Sequence, residues 1–159
     1  MNLGPENCGD RIALEEKKAA MVNMLKAFAE CCEQNGIRYW LDGGTLIGAA
    51  RHKGFIPWDD DIDVMNPRGD VKKLKTLTKG RIGRYQLVDS DDKENLFSEH
   101  WRLYDDEYVV RSTNSGVYRP LWIDIFPMVD FPDKQEDVER IFKQLRIWRS
   151  LQQCSAGNL

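Results

Sequence analysis

Apolar residues Met21, Met24, Leu25, Phe28 and Cys32 recur at helical spacing, and the pattern predicts an amphipathic helix over residues 10–35. Asp10 reads as its N-cap and Gly36 as its C-terminal stop, with the methionines as core filler. The period then shortens. Residues 37–41, Ile-Arg-Tyr-Trp-Leu, are aromatic and β-branched and predict a first strand, closed by the turn Asp42-Gly43-Gly44-Thr45. A short helix is predicted from Leu46 to Ala50, starting at Gly44-Thr45. Beyond it, Asp61-Ile62-Asp63-Val64 alternates acid with β-branched residue, the signature of a half-buried strand, and Asn66-Pro67 ends it. Val71, Leu74 and Leu77 mark a helix whose Lys72, Lys73 and Lys75 form a solvated face. Residues 85–88 predict a strand and residues 89–95 a polar loop, while 100–104 and 107–111 predict a hairpin turning at Asp105-Asp106. A Ser/Asn/Gly loop ending at Arg119-Pro120 opens on the strand Leu121-Trp122-Ile123-Asp124-Ile125-Phe126-Pro127. Asp133 with Glu136 has capping-box spacing, and Val138, Ile141, Phe142, Leu145 and Trp148 carry a last helix to about residue 152.

With 159 residues and no repeat or linker, the expectation is a single domain: an N-terminal helix over 1–36, a core over 37–130 and a C-terminal helix over 131–159. A content of 42% hydrophobic and 31% charged residues predicts a soluble chain, since disordered sequences are less apolar and membrane proteins less charged. The net charge of -3, with basic residues scattered, argues against nucleic acid as a partner. No stretch approaches the roughly 20 apolar residues of a membrane span, and residues 1–10 lack the pattern of a signal peptide, so a cytoplasmic location is expected. Cys8, Cys31, Cys32 and Cys154 show no C-x-x-C spacing and read as ordinary thiols.

Chemistry concentrates in Pro57-Trp58-Asp59-Asp60-Asp61-Ile62-Asp63-Val64, where four carboxylates fall within five positions. On a strand, Asp61 and Asp63 project together while Ile62 and Val64 turn into apolar packing. Two hard oxygen ligands on one face of a rigid element suit a divalent cation such as magnesium. Gly43-Gly44 before a helix lets backbone approach a ligand, and the helix N-terminus favours a phosphate, although a glycine pair is also an ordinary turn. The triplet Arg51-His52-Lys53 either compensates the acids or holds an anionic substrate. Asp124 is a lone acid inside an apolar strand, so either an arginine or a metal must pair with it.

Taken together, the Gly-Gly turn, Asp61-x-Asp63 and a third carboxylate on a later strand resemble the nucleotidyltransferase-fold pattern. More closely, Tyr39-Trp40-Leu41-Asp42-Gly43-Gly44-Thr45-Leu46-Ile47-Gly48, then Arg51 through Val64, and Trp122-Ile123-Asp124-Ile125-Phe126-Pro127 are similar to the blocks of the LicD family. That family groups bacterial phosphocholine transferases of cell-surface glycans with fukutin-like transferases. The resemblance spans about residues 39–130 and implies an α+β fold, a nucleotidyltransferase-like mixed β-sheet flanked by helices. It implies transfer of a phospho-alcohol, phosphocholine or similar, from a CDP-linked donor to a hydroxyl of a glycan or glycolipid, with release of CMP. On this reading Asp61 and Asp63 hold Mg2+ or Mn2+, and Asp124 is a further metal ligand or the general base. Gly43, Gly44 and Thr45 cradle phosphate, Arg51, His52 and Lys53 counter its charge, and Trp58 stacks on a base or packs. Asp59 and Asp60 support the loop. The enzyme would work in the cytoplasm, at the inner face of the membrane. Family members usually continue past the last helix, so acceptor-binding elements are expected to be missing or minimal in this chain.

Three other readings compete. An EF-hand calcium loop fails, because its sixth position is Val64 instead of Gly and its twelfth is Asp70 instead of Glu. A nucleotidyltransferase proper, moving an NMP group from an NTP, shares every candidate metal residue. A catalytically silent nucleotide-binding module would be expected to lose one of the three acids, and none is lost.

Overall fold

The computed structural model describes residues 12–89, 100–111, 118–130 and 132–156, with side chains in the last helix to residue 147. Its contacts divide the chain into two compact units, Met1–Met128 and Val129–Leu159. In the first unit, helix α1 (Leu14–Asn35) buries Met21, Met24, Phe28 and Cys32, the stripe its periodicity predicted. Gly36, at φ +61°, ends it by donating to Glu33 O while Ile37 N donates to Cys32 O. The helix begins after Ala13, and the expected cap Asp10 lies outside the described residues.

Six strands form one mixed sheet: β1 (Trp40–Leu41), β2 (Asp63–Pro67), β3 (Arg81–Ile82), β4 (Tyr85–Val88), β5 (Trp101–Arg111) and β6 (Tyr118–Met128). Their spatial order is β1-β2-β6-β5-β4-β3, with β2 and β6 parallel and the other neighbours antiparallel. Two helices punctuate the strands, α2 (Gly43–His52) and α3 (Arg68–Thr78). The expected α+β class with a mixed sheet is therefore observed. Val64, Leu103, Leu121, Ile123 and Ile125 form one core with Met21, Met24 and Phe28 of α1 and Val71 and Leu74 of α3. Strand residues alternate between faces, so this core fixes what the opposite face carries. Along β2 and β6 the positions between the buried ones are Asp63, Met65, Trp122, Asp124 and Phe126, all half-buried.

Several expectations are corrected. The first strand has two residues instead of five, because Arg38 gives its backbone groups to side chains: its N–H donates to Asp70 Oδ2 (3.1 Å) and its carbonyl accepts from Asn66 Nδ2 (2.8 Å). The hairpin at Asp105-Asp106 does not exist. β5 runs through both residues as a single strand against β6, with a register shift between Asp105 and Val109, a β-bulge. Asp105 turns inward, 1% exposed, where Arg84 Nη2 reaches it at 2.7 Å and Glu107 N–H donates to its Oδ1 at 3.1 Å. Asp-Asp signals a turn when both acids are solvated, and here a distant arginine removes that requirement. The acidic strand begins only at Asp63, although Asp124 N–H donates to Ile62 O (2.9 Å) just before it.

In the second unit, helix α4 (Gln135–Ala156) starts one residue later than predicted, Lys134 O accepting from Val138 N–H (3.2 Å). The Trp148 and Cys154 side chains, Cys8, and the expected loops at 90–95 and 112–117 lie outside the described residues. Among the described residues no helix is long and apolar enough to cross a membrane.

Candidate active site

Three charged residues form a row across the face of the sheet opposite the core. Parallel pairing sets Asp63 of β2 opposite Asp124 of β6, and antiparallel pairing sets Arg102 of β5 opposite Asp124. With strands about 4.8 Å apart, Asp63 and Arg102 flank Asp124 at one strand spacing each. Side-chain alternation on β6 puts Asp124 on this face because Ile123 and Ile125 are buried in the core.

The glycine turn is laced to the acidic strand from the other side. Asp63 N–H donates to Thr45 Oγ1 (2.9 Å) and Asp42 N–H donates to Asp63 O (3.0 Å). Gly43 sits at φ +49°, a left-handed conformation that favours glycine, and a Cβ there would stand 3.4 Å from Asp63 Oδ2. At Gly44 a Cβ would lie 2.4 Å from Asp59 Oδ2. The turn thus brings the start of α2 against the carboxylates of Asp59 and Asp63.

Crowded carboxylates oppose one another's ionisation. Burial, then the charges of Asp61, Asp124, Asp42 and Asp59, push the Asp63 carboxyl up to about 6. Asp61 is raised as well, by burial first and then by the charge of Asp59 and a hydrogen bond to it, with Asp60 and Asp124 adding to the effect. Asp59 Oδ2 is buried without a hydrogen-bond partner among the described residues. Asp60 pairs with Lys17 Nζ (2.6 Å), while Lys18 Nζ donates to Pro57 O (3.3 Å). Both contacts tie the acidic loop to α1.

Asp124 is engaged on both oxygens. Its Oδ1 takes Arg102 Nε at 2.7 Å and lies 2.8 Å from His100 Nε2, and its Oδ2 accepts from Trp122 Nε1 at 3.0 Å. Of the two partners the sequence left open, an arginine is present. Aromatic contacts fix the same groups: His100 stacks on Phe126 with centroids 4.5 Å apart, and Arg102 Cζ lies 4.8 Å above the Trp122 ring. Sequence reasoning missed His100, Arg102 and Trp122 as site residues. The available signal was an arginine at an alternating position of a strand predicted near the one that carries a lone acid.

Other expected members lie apart. Arg51 and His52 occupy the last turn of α2, about 12 Å of helix from Gly44 at 1.5 Å per residue. Lys53 caps that end at φ +57°, its Nζ 3.5 Å from Ala50 O. The basic triplet is therefore at the far end of α2 from the glycine turn. Trp58 stands 83% exposed in the loop just before the acids. Among the described residues, no three of His, Cys, Asp and Glu are drawn together closely enough to enclose a metal ion.

Comparison with known proteins gives this arrangement its relatives. Residues 36–150 match the family described as LicD/FKTN/FKRP, nucleotidyltransferase domain. The chain is 32% identical over 138 residues to the lipopolysaccharide cholinephosphotransferase LicD of Haemophilus influenzae, a match that covers 86% of this chain and 52% of that protein. It is also 32% identical over 130 residues to the ribitol 5-phosphate transferase FKRP of Homo sapiens, covering 76% of this chain and 25% of FKRP. A shorter match, 34% over 65 residues, is to mannosyltransferase regulator 4 of Saccharomyces cerevisiae. The chain thus spans about half the length of the Haemophilus relative and a quarter of the human one.

Proposed function

The chain belongs to the LicD family, and from that premise we propose that it is a transferase that moves a phospho-alcohol from a CDP-linked donor to a hydroxyl of a cell-surface glycan, releasing CMP. The observation that carries this reading is the adjacency of Asp63 and Asp124 on one sheet face, with the Gly43-Gly44 turn against Asp63 and Asp59. The relatives' names, one a choline phosphate transferase and one a ribitol phosphate transferase, support a phospho-alcohol as the group moved. A nucleotidyltransferase-like fold and action at the cytoplasmic face of a membrane belong to the same proposal.

The donor set suits Mg2+ or Mn2+. It is all carboxylate oxygen, its members resist ionising together, and Asp59 Oδ2 is buried with no donor among the described residues. Asp61 and Asp63 would hold the ion, with Asp59 beside them. Two carboxylates suffice, since magnesium usually completes its shell with water and substrate phosphate. When bound, the ion neutralises charge on the diphosphate. Asp124, already accepting on both oxygens, would instead anchor His100 and Arg102.

In the transfer, the acceptor hydroxyl oxygen bonds to the phosphorus that carries the alcohol. The bond from that phosphorus to the bridging oxygen breaks, and CMP departs with the electron pair. The hydroxyl proton is lost to solvent or to a base. What the chain contributes is position and electrostatics, as phosphoryl transfer chiefly requires. Gly43, Gly44 and Thr45 would seat phosphate at the start of α2, and Trp58 would stack on the cytosine.

The test is incubation with magnesium and CDP-choline, CDP-ribitol, CDP-glycerol, CTP or ATP, following CMP release. Turnover of a CDP-alcohol is expected, abolished by Asp61→Asn or Asp63→Asn with folding retained. Consumption of CTP or ATP alone, with no response to any CDP-alcohol, would replace this reading with transfer of an NMP group.

A further inference from the structure

The acids need a counterpart. A diphosphate held beside Asp61 and Asp63 carries negative charge on every side, and the cations expected to meet it, Arg51, His52 and Lys53, sit at the far end of α2. We propose that Arg102 and His100, fixed by Asp124, are the phosphate-binding cation and imidazole of this site, an assignment that rests on the diphosphate-donor reading above.

Four observations carry it. Arg102 lies in the row Asp63, Asp124, Arg102, so it is two strand spacings, about 10 Å, from Asp63 on the same face. Asp124 takes the guanidinium through Nε and Tyr104 also hydrogen-bonds it, which leaves Nη1 as its uncommitted donor among the described residues. The Arg102 side chain is only 9% exposed, and its Nη1 is buried with no acceptor among the described residues. A buried charged donor without an acceptor is costly, and a phosphate oxygen would satisfy it. Finally, Trp122 below the guanidinium and Phe126 against His100 hold both groups in one orientation, as preorganised electrostatics requires. His100, with 25% of its side chain exposed, is the member nearer solvent.

Binding separates this role from a structural one, because cytidine lacks the phosphates and CDP has two. Titration of wild type, Arg102→Lys and His100→Gln with cytidine, CDP and ATP, each with magnesium, is the experiment. We expect CDP affinity to fall at least tenfold in both variants while cytidine affinity stays within twofold. Equal CDP affinity in wild type and both variants would overturn the assignment, as would parallel losses for cytidine and CDP. Should Arg102→Lys not fold, His100→Gln decides by the same two criteria. If wild type binds ATP and not CDP, the CDP reading fails separately. The seat is then judged by whether ATP affinity drops tenfold in the variants, and it is overturned if ATP affinity does not. Failure of wild type to bind any of the three would overturn both.

Discussion

Asp63 and Asp124, 61 positions apart in the chain, are direct partners across parallel strands, and each presents its carboxyl to the same half-buried face. The proximity has a measurable consequence in the metal-free protein. Burial and neighbouring acids raise the Asp63 carboxyl from an ordinary 3.8 to about 6, so between these values the folded state binds more protons than the unfolded chain. Stability then falls as pH rises through that window, and the raised Asp61 acts in the same sense. Thermal melts in chelator should show a midpoint that drops from pH 4 to pH 6 and levels above it. Asp63→Asn should flatten that drop and melt higher than wild type at pH 7. An identical pH profile in the two proteins would contradict the crowding of these acids.

Gly48 has a different constraint from the glycines of the turn. A Cβ at this position would meet Gly54 O at 2.5 Å and Ile56 N at 3.1 Å, and both are backbone atoms that cannot swing aside. Gly48→Ala should therefore cost about 1–3 kcal/mol through overpacking, lowering the melting midpoint by about 2–4 °C per kcal/mol. Gly54→Ala is the control, since nothing lies within 4 Å of its would-be Cβ, and it should change stability by less than about 0.5 kcal/mol. Equal melting of the two variants would show that α2 does not press on the following loop as described.

The sequence made much of this fold legible where local pattern decides the outcome. The stripe of α1, the left-handed stop at Gly36 and the alternation around Asp124 all depend on residues a few positions apart. What escaped depends on partners distant in sequence. Asp105 reads as a turn residue until Arg84, 21 positions earlier, neutralises it inside the sheet. His100 and Arg102 read as ordinary strand residues until β5 pairs with β6 and sets them beside Asp124. The place of the basic triplet escaped for a related reason: α2 runs two residues further than its apolar pattern implied and sets Arg51 and His52 on its last turn, at the opposite end from the glycine turn.

Arg84 and Asp105 offer a test of the bulge. Asp105 is almost wholly buried, and burial raises its carboxyl while the Arg84 charge and hydrogen bond lower it. Removing the arginine leaves a carboxylate that must ionise without a cation, held only by the Glu107 N–H, and breaking a fully buried pair costs about 3–5 kcal/mol. Because Arg84 is 49% exposed and water screens it, Arg84→Ala should cost less, about 2 kcal/mol at pH 7. The loss of Arg84 raises the Asp105 carboxyl further, so the deficit should shrink as pH falls and that acid takes up a proton in the folded state. A deficit independent of pH would mean that packing of the arginine stem, not charge, is what the strand loses.

Trp58 separates a ligand-stacking aromatic from a packing one. At 83% exposure it contributes little to the core, so Trp58→Ala should leave the melting midpoint of the free protein unchanged within about 0.5 kcal/mol. Its place immediately before Asp59 sets the ring at the edge of the acidic loop, where a nucleobase attached to a bound diphosphate would arrive. Base stacking on an aromatic side chain is worth about 1–3 kcal/mol, so the variant should raise KM for the donor by at least fivefold and leave kcat nearly unaltered. Cytidine affinity should fall by the same factor, the reverse of the pattern expected for His100→Gln. If Trp58→Ala binds cytidine and CDP as wild type does, the indole has no part in holding the base and the cytosine must be recognised elsewhere on the chain.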